Sequence, residues 1–525
     1  MFYLPRPRDA RFVMWQVDRG PTRATSSAKV GKVAFVFDPP PEVLRPEDIC
    51  YPAVPAFHQV ESIPHERRIA VPTLPVRHDR LDFLDSAATV KPGTVVRGRY
   101  QAELPLKGLA TPYKIELPLV GANGNRPIVD PERDGLRGLN IRWWPNVPFV
   151  EWKRFFLSIG AAEDAGKKLF EIAKPFCAFW VGSNLVARPL SRTTSGGDAV
   201  VACTDERPSW VALCLGEPGK PVAGGVWRIP APTRTYQGTE PLDVAVDFGT
   251  ANTALAYKIG NGAPESLPID PPEGEPSATG YLVRSGKERT VHSTVETWVP
   301  KAGFGARKDL LPSEILLNGR VDDEIADSQR ISAWKPIEDY CVPSGGLEVQ
   351  YPERDYIIQN LKWSTQVVPP KFQNSETAQA LQVAYLEFVT LYLLGQLYAR
   401  LGEAPPKTLT FHYAIPLVFS RDQRQSFATV WETVGARIAA STGLWVEPHP
   451  GQFDESTVVA ANDLGQFKTH ARLFVDVGGG TSDIALQWDP RAVKDGPKEC
   501  YVTSVQYAGG VFLSAIAPPR EVRTT

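Results

Sequence analysis

Two short segments constrain this chain more than anything else in it. In LDVAVDFGTANTALAY an apolar strand, Leu242–Phe248, carries Asp247 at its end, turns through 249–253 and returns along 254–259. In RLFVDVGGGTSDIALQW a strand over 472–477 carries Asp476, turns through 478–481 and returns along 483–488. The two aspartates are 229 positions apart. Glycine lets a backbone turn sharply and approach a ligand closely. The amides of such a turn can converge on a phosphate. Three successive glycines, Gly478, Gly479 and Gly480, cost conformational entropy that a purely structural turn rarely needs. An aspartate at the strand end suits a hydrated Mg²⁺, which keeps several waters when carboxylates hold it. One such unit is a common β-hairpin. Two imply two similar subdomains that face each other across bound phosphates.

The surrounding sequence alternates strands with helices, which predicts α/β layering. Apolar residues at helical spacing predict a long helix over 375–401, stopped by Gly402 before Pro405 and Pro406. Strand Thr408–Ile415, a helix over 422–442 and a helix over 455–464 follow, and a last strand is expected over 501–507. The segment 230–241 reads as a linker. Residues 1–238 look β-rich, with short β-branched and aromatic runs such as Tyr113–Val120 between Gly, Pro and Asp, and one expected helix over 163–173. The aromatic run IRWWPNVPFVEWKRFF suits either a ligand-stacking surface or core packing, and core packing is the expectation because large aromatics dominate cores.

The two hairpins resemble the phosphate-1 and phosphate-2 loops of the actin, sugar-kinase and DnaK-type ATPase superfamily. The DnaK-type loops D-L-G-T-T-N-S and D-L-G-G-G-T-F-D stand here as DFGTANT and DVGGGTSD. Between them, YAIPLVFSRDQRQSF resembles the family's V-P-A-Y-F-N-D-x-Q-R-Q segment, and Asp454, Glu455 and Thr457 resemble the start of its inter-subdomain helix. The resemblance implies α/β actin-like (ribonuclease-H-like) ATPase lobes over 239–525, preceded by a β-rich N-terminal domain over 1–238. It implies ATP and Mg²⁺ as ligands. Asp247 and Asp476 would serve the metal. Gly249, Thr250, Ala251, Asn252 and Gly478–Gly480 would meet the phosphates. Glu455, Asp476 and Thr481 would carry the catalytic roles: Glu455 positioning water, Asp476 assisting metal or water, Thr481 binding the terminal phosphate. Ala251 replaces a threonine, so one hydroxyl contact is expected to be missing. Asp483 either braces its hairpin or touches ligand. A family lysine meets the phosphates, and Lys362 and Lys335 are the candidates, each weighed against a plain surface lysine. His412 is expected to be a packed histidine.

AGGVFLSA, residues 508–515, resembles the start of the family's remaining second lobe, so that lobe and its adenine loop are expected to be C-terminally incomplete. A second chain completing the lobe is one expectation that follows. A DnaK-type peptide-binding domain is not expected. The expected function is therefore an Mg-dependent, ATP-binding and ATP-hydrolysing regulatory protein whose residues 1–238 engage a protein partner. The alternatives are an actin-like nucleotide-dependent scaffold with weak or lost hydrolysis, and a small-molecule kinase of the sugar-kinase branch.

With 57 basic and 59 acidic residues, overall charge gives no argument for nucleic acid or an anionic membrane as the main partner, although a local basic patch is compatible with it. Six scattered cysteines have neither zinc nor C-x-x-C spacing, which fits reduced thiols and a cytoplasmic location. The most apolar stretch, 378–399, contains Gln379, Gln382, Glu387 and Gln396 and reads as a buried helix rather than a membrane span.

Overall fold

The computed structural model describes residues 13–15, 27–30, 33–36, 42–55, 73–85, 93–97, 99–120, 139–161, 176–181, 184–189, 199–204, 206–217, 219–250, 252–267, 280–283, 310–313, 315–317, 340–341, 356–358, 361–363, 375–401, 404–448, 451–455, 471–478, 481–488 and 499–505. The expected helix over 163–173, most of that over 455–464, and AGGVFLSA lie outside these residues.

Up to residue 238, the described regular elements are strands and two short 3-10 turns. One antiparallel sheet orders Asn184–Pro189, Phe176–Val181, Trp210–Glu217, Lys220–Arg228 and Thr73–Leu74. Its inward residues share a core with the sheet containing Arg99–Leu104 and Tyr113–Val120. Arg99–Leu104 buries every second residue, as a strand packed on one face must. In this core the Tyr51 hydroxyl lies 3.0 Å from His78 Nδ1 and 2.9 Å from Cys214 Sγ. Cys50 and Cys214 are buried free thiols.

The second core is built on a mixed sheet. Leu242–Phe248 runs antiparallel to Asn252–Ile259 and parallel to Thr408–Ile415, which in turn pairs with Trp445–Val446 and Gly451–Asp454. One face of this sheet, Val244, Val246, Phe248, Phe411 and Tyr413, is buried in a cluster with helices α1 (Ser375–Arg400) and α2 (Arg421–Thr442). α1 is long and apolar enough to cross a membrane by length and composition, and it is almost wholly buried inside this protein. Its apolar residues face in all directions because it is covered all round. α2 starts with a capping box: Gln423 N–H donates to Ser420 Oγ, and Ser420 N–H donates to Gln423 Oε1. It ends at Gly443, whose φ of 71° is left-handed.

The aromatic run packs as core. Trp144, Val147, Phe149, Trp152 and Phe155 belong to the same buried cluster as α1. Trp144 stacks on Tyr392, with ring centroids 5.6 Å apart. Arg154 and Arg437 both pair with Glu387, which is 1% exposed in the middle of α1. A core therefore spans the 238/239 boundary drawn from sequence. Gly280–Val283 crosses it too, pairing with Leu139–Trp144.

The second hairpin forms a three-stranded antiparallel sheet of Ala471–Val477, Ser482–Trp488 and Glu499–Val505. Leu473, Val475 and Val477 alternate along one exposed face of it, and Tyr501 and Val505 are exposed on the strand at the sheet's other edge, Glu499–Val505.

Candidate functional site

Both hairpins close in the same way. Gly249 N–H donates to Asn252 O at 2.9 Å, and Gly478 N–H donates to Thr481 O at 2.8 Å. In each, the aspartate sits two residues before the closing glycine. A Cβ on Gly249 would lie 2.5 Å from Asn252 O, and one on Gly478 would lie 3.2 Å from Thr481 O. The first turn needs glycine because the closing carbonyl occupies that space, and the second leaves a side chain there only a tight fit.

The hairpins line one cleft of about 1020 Å³. Asp247, Gly249, Thr250 and Asn252 come from the first, and Asp476, Gly478, Thr481 and Asp483 from the second. Lys362 and Glu455 join them, and Asp243, Lys258 and His412 also line it. Of the residues expected from sequence, Asp247, Gly249, Thr250, Asn252, Lys362, Glu455, Asp476, Gly478 and Thr481 are thus brought together. Ala251, Gly479, Gly480 and the other candidate lysine, Lys335, lie outside the described residues.

Each side chain has an identifiable support. Lys362 sits on a 3-10 turn, Leu361–Trp363, with its side chain 3% exposed, and its ammonium pairs with Glu455 Oε1. Glu455 follows the strand Gly451–Asp454, which runs beside Thr408–Ile415. Within the DQRQ segment, Arg424 folds back to donate to Leu417 O and Phe419 O, and lies 3.6 Å from Asp454. That arginine ties the loop before α2 to the strand end that presents Glu455. In the second hairpin, buried Thr481 donates through Oγ1 to Asp483 Oδ2 at 3.2 Å, so Asp483 braces its own hairpin.

The carboxyls crowd one another. Burial pushes Glu455 up to about 7, against the pull of Lys362, with Asp483 and Asp247 adding to the rise. Asp247 opens on the cleft, but the surrounding walls strip its hydration and raise its carboxyl. Lys362 opposes that rise and Asp476 adds to it. Among the described residues, no group of three or more His, Cys, Asp or Glu side chains forms a ready-made metal cage. A cage is not what Mg²⁺ takes: one or two carboxylates plus phosphate oxygens and waters suffice. Asp247 and Asp476, hard oxygen donors in one cleft, fit that role.

Sequence reasoning missed three contributors. Trp363 Nε1 donates to Thr250 Oγ1 at 3.1 Å. Gln382 of α1 donates to the carbonyls of Leu361 and Lys362. His412 is partly exposed and lines the cleft, with Nε2 3.0 Å from Asp243 Oδ1, rather than being a plain core histidine. Only the last left a signal, since Asp243 and His412 occupy neighbouring parallel strands at positions that share a sheet face.

No protein-family model matches the chain. A comparison with curated proteins returns no match either. Among solved structures, MreB5 of Spiroplasma citri matches in two forms. The ADP-bound form has 13% identity and a TM-score of 0.26, and the AMPPNP-bound form 12% and 0.27. An exopolyphosphatase from Cytophaga hutchinsonii matches at 11% identity with a TM-score of 0.21. Each match covers 52% of this chain, and 57%, 57% and 53% of the respective partner chains. The chain thus spans little more than half the length of the structures it matches, and similarity at this level defines neither a fold nor a function.

Proposed function

We propose that this cleft binds ATP with Mg²⁺ and hydrolyses it, in an actin-like fold closest to the DnaK type. One observation carries this reading. Two glycine-closed hairpins, each with an aspartate two residues before its glycine, converge on a cleft that also holds a partly buried Lys362–Glu455 pair. Lys362 is a donor-only cation and Thr250 a hydroxyl, both suited to phosphate oxygens. Gly249 and Gly478 let backbone approach those oxygens. Glu455, held near neutrality by its surroundings, is placed to orient a water and take its proton as the water oxygen bonds to the terminal phosphorus and the bond to the bridging oxygen breaks. Mg²⁺, when bound at Asp247 and Asp476, neutralises phosphate charge. Catalysis of this type is chiefly positioning and charge compensation.

The regulatory part of the proposal assigns residues 1–238 to a protein partner, with nucleotide state communicated through the shared core around Trp144 and α1. Phosphate release from ATP tests the chemistry. Release that requires Mg²⁺, stops with EDTA and falls at least 100-fold in Glu455→Ala supports it. Release unchanged in Glu455→Ala contradicts it.

A second reading is favoured by the apolar face of the second hairpin sheet, where Leu473 is 64% exposed beside Val475 and Val477. Contiguous exposed apolar surface of this kind marks interaction sites. An actin-like scaffold that assembles with nucleotide would bury it. ATP-dependent sedimentation, abolished by Val475→Lys, is the result that reading requires.

A further inference from the structure

The three-residue turn Leu361–Trp363 supplies one group to the cleft and one to a residue that lines it. Lys362 enters it directly, and Trp363 reaches Thr250 on the first hairpin. From these contacts we infer that Trp363 and Gln382 are positioning residues that set the phosphate-binding groups before ligand arrives. This rests on the nucleotide reading given above.

Trp363 fixes the polarity of Thr250. An indole N–H can only donate, and a hydroxyl has one hydrogen and two lone pairs. With Trp363 Nε1 donating at 3.1 Å, Thr250 Oγ1 is the acceptor in that bond, so its own hydrogen points elsewhere. Thr250 lines the cleft. It therefore offers the ligand a donor, which suits a phosphate oxyanion. The indole is itself held edge-on against Phe419, with centroids 5.0 Å apart.

Gln382 fixes the turn from behind. A single 3-10 turn leaves its carbonyls without internal partners. Gln382, 6% exposed on α1, fills that need by donating Nε2 to Leu361 O at 2.8 Å and to Lys362 O at 3.3 Å. Leu361 is wholly buried in the core around α1. The backbone under Lys362 is thus pinned to the buried helix α1. A pre-placed lysine spends less ordering entropy when the phosphate binds.

Double-mutant cycles, read as Mg-ATP affinity by calorimetry, test both residues. Trp363→Phe keeps the ring against Phe419 and removes the donor, and Gln382→Met keeps volume and removes the two hydrogen bonds. Each is expected to weaken Mg-ATP binding roughly tenfold, equivalent to about 1.4 kcal/mol. The loss from Trp363→Phe is expected to vanish when Thr250 is Val. That from Gln382→Met is expected to vanish when Lys362 is Met. A merely structural role would give the same loss in either background. Background-independent losses, or no loss, with intact wild-type binding overturn this inference and leave the nucleotide reading standing. Absence of Mg-ATP binding by the wild-type chain overturns both. If Gln382→Met does not fold, the Trp363–Thr250 cycle alone decides.

Discussion

Gly249 and Gly478 stand at equivalent points of two hairpins, and each is constrained by one carbonyl. A Cβ at Gly249 would meet Asn252 O at 2.5 Å, closer than real contacts allow. Gly249→Ala is therefore expected to distort the first turn and destabilise the protein by about 1–3 kcal/mol, read as a lower denaturation midpoint, with loss of Mg-ATP affinity. Glu455 makes a second residue-scale prediction. Its folded carboxyl is raised from 4.5 to about 7, so folding favours its protonated form. The stability it contributes is complete below 4.5 and is lost as pH rises through about 7, on the order of 3 kcal/mol in all. Urea midpoints between pH 5 and 8 should show this slope in the wild type and a shallower one in Glu455→Gln. An unchanged slope would mean that other groups set it. Much of this site was legible in the sequence, because strand–Asp–Gly–strand is a local pattern and all its residues lie within a dozen positions. Trp363 and Gln382 were not legible. Their partners lie 113 and about 20 positions away, and no local spacing encodes a long-range hydrogen bond.

Helix α1 ties together residues from distant parts of the chain. Along one helix, Gln382 holds the Lys362 turn, Tyr385 donates to Thr253 Oγ1 of the first hairpin, Glu387 takes two arginines, and Tyr392 stacks on Trp144. Its extent was legible. Residues 375–401 were expected and Ser375–Arg400 is observed, because a continuous apolar run bounded by Gly402 leaves little freedom. Strands Leu242–Phe248 and Thr408–Ile415 likewise fall where they were expected. What α1 touches was not legible, since Arg154 lies 233 positions from Glu387. Glu387→Gln removes the charge between Arg154 and Arg437. Both arginines keep some access to water, so the loss is expected to be about 1–3 kcal/mol, measured by chemical denaturation. A loss below about 1 kcal/mol would show that the arginines find other partners.

At the scale of the whole molecule, the change of sequence character near residue 238 is not a boundary between cores. Trp144, Phe149 and Trp152 pack against α1, and Tyr236 packs against Phe149 and Tyr398. A fragment of residues 239–525 would expose that side of α1 to water. It is expected to bind a hydrophobic dye and sediment as aggregate, whereas a fragment that includes residue 139 onward should do so less. Equal solubility of the two would contradict the shared core. The composition of the aromatic run pointed to a core, but the identity of that core required the fold.

The most direct test of the central claim is calorimetric titration of the full chain with Mg-ATP, alongside Asp247→Ala and Asp476→Ala. The two aspartates belong to hairpins far apart in sequence, and they meet only if both hairpins line one working cleft. Saturable binding by the wild type, lost in both variants without loss of folded structure, is the expected result. Wild-type binding that survives either substitution would contradict a site built from both hairpins.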